Sequence, residues 1–176
     1  MADGTVVTIW IVSPRDYSHS RAFDEVALAL CAAFGALGHS ASIVRDPAQL
    51  AGTTIVLGAN LLLRRPRVRF PASARLILFK LEQITPNSPW IGEGYLALLK
   101  QYPVWDYSPR NIVELSQLGI AAVHCGIGYM PELTRIPRAE QDVDVLFIGS
   151  TNARRLKVLN EIAARAPRDV ALQPLW

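Results

Sequence analysis

The sequence predicts an α/β fold, a Rossmann-like and mainly parallel sheet with helices on both faces, followed by the first strand-helix unit of a second lobe. Three observations carry this. The strand-like runs, among them Val6 to Val12, Thr53 to Leu57 and Val145 to Ile148, are continuously apolar, as strands covered on both faces require. Segments with apolar residues every three or four positions follow most of them, so strand alternates with helix. Glycine or proline stands at most of the joints, where the chain must change direction.

Val6 to Val12 is expected as the first strand, and Ser13 to Ser20 as the loop leaving its carboxyl end. A helix from about Arg21 carries Phe23, Val26, Leu30, Phe34 and Leu37 as one apolar stripe, with Gly38 placed to close it. Ala41 to Val44 and Thr53 to Leu57 are the next two strands. The following segment holds Arg64, Arg65, Arg67 and Arg69 around Pro66, which argues against a long helix. Nucleic-acid binding would want aromatic residues between such charges, and only Phe70 is present, so no nucleic-acid partner is expected.

Arg75 to Leu81 reads as a strand with Glu82 and Gln83 at its exit, and a helix follows from Ser88-Pro89 to about Tyr102. Val104 to Tyr107 is a short strand with Asp106 near its end. Ser108 and Pro109 then open a helix that Gly119 closes, as N-cap and first helical residue. Ile120 to Cys125 is one more strand, and Pro131 to Gln141 a polar link suited to a hinge. These boundaries divide the chain into a Rossmann-like region over 1–140 and a single strand-helix unit over 141–176, which the resemblance described below makes the incomplete start of a second lobe.

The stretch Val143 to Asn160 is the best clue to function. Val145 to Ile148 forms a buried-type strand and Gly149 breaks it. Ser150 and Thr151 supply oxygens for the first amides of a helix that carries Leu156, Leu159 and Ile162. In open α/β sheets ligands gather at the carboxyl ends of strands, and a helix N-terminus attracts anions. Arg154 and Arg155 in a first turn oppose the helix dipole by about 0.3–1 kcal/mol each. A nearby phosphate would explain them; the alternative is that both are solvated.

Composition narrows the classes further. The chain has 176 residues, 51% hydrophobic and 19% charged, which suits one domain or a domain with an appendage. No run reaches the length of a membrane span, and no secretory leader is recognisable, so a cytoplasmic protein is expected. Two cysteines do not make a disulfide framework. The net charge of +3 tolerates phosphorylated ligands without selecting them. His124 and Cys125 are neighbours on a strand and point to opposite faces, and Asp142-x-Asp144 precedes its strand, so no metal site is expected. Gly126-x-Gly128 lacks the third glycine of a dinucleotide fingerprint, and no cofactor is expected.

The segments HSRAFDEVALAL, FKLEQITPNSPW, LLKQYPVWDYSPRNIVEL, GIGYMPELTRI and DVDVLFIGSTNARRLKVLNEI resemble the amino-terminal portion of bacterial glycosyltransferases of the two-lobed GT-B type. The resemblance runs over nearly all of the chain. It implies a first lobe that receives a hydroxyl acceptor, a second that binds a nucleotide-sugar donor, and reaction between them without an obligatory metal. Gly149, Ser150, Asn152, Arg154 and Arg155 are then the candidates for the donor's phosphates, and Glu82, His19 and Asp106, all at strand exits, those for the base. A complete second lobe needs more strand-helix units than follow Val143. The chain is therefore expected either as a truncated product or as one that borrows a protein partner or a second copy of itself. The rival reading is a non-catalytic binding or assembly module with the same half fold.

Overall fold

The structure is a computed structural model that describes residues 5–15, 17–64, 70–85, 88, 91–149, 151–167 and 172–175. The chain divides into two compact units, Met1–Arg135 and Ile136–Trp176. The first contains strands β1 (Val6–Ile11), β2 (Ser40–Val44), β3 (Thr53–Leu57), β4 (Arg75–Lys80), β5 (Val104–Asp106) and β6 (Ala122–His124), with helices α1 (Asp24–Ala36), α2 (Glu93–Leu99) and α3 (Pro109–Gln117). The strands form one sheet in the order β2-β1-β3-β4-β5-β6, and every described pairing is parallel.

Alternate residues of these strands enter two separate cores, which is why their runs are apolar throughout. Val7, Ile9 and Ile11 meet Ala27 of α1 together with Ile55, Leu57 and Phe79. Trp10, Val56, Leu76, Leu78 and Val104 face the other way, against Tyr95 and Leu99 of α2 and Leu115 of α3. Helices therefore cover both faces, the arrangement a parallel sheet needs to keep its apolar side chains out of water.

Several boundaries differ from the sequence expectation for local reasons. Residues Ser18–Phe23 form a 3-10 turn, and α1 starts at Asp24, where Asp24 and Glu25 suit the positive end of the helix better than Arg21 would. The stripe on α1 is also narrower than expected. Leu37 lies beyond the helix and is 72% exposed, and the wholly buried contact is the small Ala27, which lets the helix approach the sheet closely. Gly38, at φ +83°, ends it as expected, with the His39 amide donating to the Phe34 carbonyl at 2.9 Å. Strand β6 is only three residues long because its partner β5 is. The segment after β6 turns through Pro131–Leu133, and Arg135 pairs with Glu25 of α1, so the first part of the expected hinge belongs to the first unit.

In the second unit β7 (Val145–Ile148) pairs in parallel with β8 (Leu172–Leu175), and α4 (Ala153–Arg165) connects them. Gly149 takes φ +137°, a conformation that L side chains rarely adopt, and so breaks the strand as its position implies. The helix cap falls on Asn152 instead of Ser150 or Thr151, because α4 begins at Ala153: the Asn152 side chain accepts from the Arg155 amide at 2.9 Å.

Candidate functional site

The carboxyl ends of β4 and β5 carry a cluster of buried polar side chains. Parallel pairing sets Lys80 beside Asp106, and both side chains are wholly inaccessible. Their Nζ and Oδ2 atoms lie 3.3 Å apart. Burying two charges costs several kcal/mol each, and attraction offsets this only when other hydrogen bonds satisfy the remaining lone pairs and protons. Here they do. Lys80 Nζ also donates to the Glu82 carbonyl, and the Ser108 amide donates to Asp106 Oδ1 at 2.8 Å. Asn111, in the first turn of α3, donates from Nδ2 to both Asp106 oxygens at 3.1 and 3.2 Å and to the Glu82 carbonyl at 2.9 Å. Its Oδ1 accepts from the Ile84 amide at 3.1 Å. Burial lowers the proton affinity of Lys80, against the opposing pull of Asp106 and Glu82.

Glu82 stands where this cluster reaches the sheet edge. Its carbonyl is held from two sides, by Lys80 and Asn111. Its half-buried carboxyl accepts from the Tyr95 hydroxyl at 3.3 Å. Loss of water around the carboxyl raises its pKa above the usual carboxylate value, although nearby backbone amides, Lys80 and Tyr95 all favour the charged form. A carboxyl of this kind holds its proton to higher pH and accepts one more readily from a bound hydroxyl.

The shift has a consequence for stability. Glu82 binds its proton more tightly folded than unfolded, so its contribution is greatest below the unfolded pKa, falls as pH rises toward the folded pKa, and stays lower above it. Glu82→Gln removes this titration. The variant should gain stability relative to the parent on going from pH 4 to pH 7, as read from urea unfolding at the two values; an unchanged difference would show that Glu82 ionises equally easily in both states.

The other candidates are differently engaged. Asp106 is fully occupied by Lys80, Asn111 and Ser108. His19 is exposed in the turn after β1, with its ring edge-on to Tyr17 at 5.4 Å. In the second unit, Asn152, Arg154 and Arg155 line a groove of about 450 Å³ together with apolar residues of β7 and α4, including Phe147 and Leu159. The Asn152 oxygen there caps its own helix. Ser150, Arg65, Arg67 and Arg69 lie outside the described residues.

Sequence reasoning passed over Lys80, Tyr95 and Asn111. A lysine ending an otherwise apolar strand, with an aspartate near the exit of another, was the available signal for the ion pair. It also passed over Asn60, at the exit of β3, whose Oδ1 is buried without a hydrogen-bond partner among the described residues. Gly58 precedes it at φ +77°, where a Cβ would stand 2.7 Å from the Phe23 ring. Burial raises the pKa of the Cys125 thiol, which does not favour a reactive thiolate. Among the described residues no helix is long and apolar enough to cross a membrane.

Sheet order, parallel pairing and helices on both faces define a Rossmann-like α/β protein. Comparison of the chain with models of protein families, with curated proteins and with solved structures finds no match.

Proposed function

We propose that the chain is the acceptor-side lobe of a glycosyltransferase joined to the start of its donor-binding lobe, and that Glu82 is the base. The observation that carries the reading is Glu82 itself, a carboxyl of raised proton affinity anchored at the carboxyl edge of a parallel sheet. Asp106 is a poorer base because its oxygens are already paired, and His19 lacks a comparable anchor. In the reaction the acceptor oxygen forms a bond to the anomeric carbon of a nucleotide-sugar. Its proton passes to Glu82, and the bond to the diphosphate breaks with the electron pair leaving on phosphate. Arg154 and Arg155, at the start of α4 in the second unit, are the candidates for binding the donor's diphosphate.

The experiment incubates the full chain with a panel of uridine and guanosine diphosphate sugars and simple glycoside or polyol acceptors, with products read by mass spectrometry. Sugar transfer should be detected and should fall about 100-fold in Glu82→Gln. In parallel, uridine diphosphate should perturb amide resonances from Gly149 to Arg155, and Arg154→Ala with Arg155→Ala should abolish this. Absence of both transfer and perturbation would overturn the reading.

The second reading, a binding module without catalysis, draws on one observation. Leu146 and Ile148 of β7 and Leu156 and Val158 of α4 are between 42% and 70% exposed, an apolar display suited to covering by a protein. Transfer activity in the isolated chain separates the two.

A further inference from the structure

We propose that Tyr95 is a positioning residue that sets the protonation of Glu82, holding one carboxylate oxygen with a hydroxyl that stays a donor. Its importance for catalysis rests on the reading of Glu82 as base; its effect on the carboxyl does not. Tyr95 lies in α2, is fully buried, and packs among Trp10, Leu61 and Leu99 in the core on that face of the sheet. Its ring is therefore fixed, and its hydroxyl reaches Glu82 Oε2 at 3.3 Å from a helix separate from the loop that carries Glu82. Burial, together with the charges of Glu82 and Asp106, raises the phenol's pKa well above the ordinary value, so the hydroxyl keeps its proton throughout the range in which a carboxyl titrates.

The remaining groups that bear on the Glu82 carboxyl are the backbone amides of Glu82 itself and of Leu81 and the charge of Lys80 from β4, all of which favour the carboxylate, while Asn111 from α3 holds the carbonyl. Asp106 of β5 is turned to Lys80 and Asn111. Among the described residues Tyr95 is thus the side chain that hydrogen-bonds the Glu82 carboxyl itself, and its loss should leave a buried acid with less support for its charged form.

The test is a carbon-13 titration of the glutamate side-chain carboxyls in the full chain, with Glu82 assigned by its absence in Glu82→Gln. Tyr95→Phe removes the donor and keeps the ring. The Glu82 midpoint should rise by about 0.5–1 pH unit. Replacement of Tyr95 by 3,5-difluorotyrosine makes the hydroxyl a stronger donor and should lower it. A midpoint unmoved in the phenylalanine variant, or one that shifts downward, overturns the proposal; should that variant not fold, the fluorinated chain decides alone, and an unmoved or raised midpoint overturns it. No donor or acceptor is present in this experiment. A chain that transfers no sugar but shows these shifts would refute Glu82 as base while keeping Tyr95's control of its titration.

Discussion

Replacing Lys80 with methionine should lower the free energy of unfolding by about 3–5 kcal/mol, because it leaves Asp106 charged in a site that water does not reach. The loss comes mainly from the orphaned carboxylate, since methionine fills much of the space of the lysine stem. Pairing the change with Asp106→Asn should therefore recover at least half of it. The asparagine oxygen can still accept from Ser108 and Asn111, and no buried charge remains. Urea unfolding of the two single variants and the double variant measures the coupling directly. A loss below about 1 kcal/mol in Lys80→Met would show that Asp106 is adequately held by Ser108 and Asn111 alone.

Asn111→Leu should cost about 2–4 kcal/mol, although leucine is close to asparagine in size. Asn111 ties two points of the loop after β4, the Glu82 carbonyl and the Ile84 amide, to the end of β5. Leucine leaves the Ile84 amide without its acceptor and Asp106 with one donor fewer, and each buried group left unpaired costs about 1–3 kcal/mol. The location of the damage is a sharper test than its size. Hydrogen exchange should accelerate at Ile84, whose amide loses its partner, while the paired amides of β1 and β3 keep their protection. Uniform acceleration over the sheet would mean that Asn111 supports the whole fold instead of one loop.

The sheet was readable because burial on both faces removes polar residues from whole strands, and local glycines mark the ends of α1 and α3 without help from distant contacts. Positions at the sheet edge were readable too: Glu82 and Asp106 follow from where apolar runs stop. Their different surroundings were not, since these depend on neighbours that only the fold supplies. Lys80 looks like a solvated strand end until register places Asp106 beside it. Tyr95 looks like one more apolar position on a helix, and it is, except that its hydroxyl emerges beside a carboxyl from another element. Asn111 resembles any polar residue near a helix start. In the second unit, the cap at Asn152 was displaced from Ser150 and Thr151 by a shift of the helix start that a run of small polar residues does not specify.

The pairing order bears on how the chain comes to be folded at all. The first strand already has both of its neighbours by Leu57, and β4, β5 and β6 then join one after another at the same growing edge. No strand of this sheet waits for a partner made later than the next strand or two, so a chain leaving the ribosome at about 5–20 residues per second can assemble it outward as it is made. Vectorial synthesis and sheet growth run in the same direction.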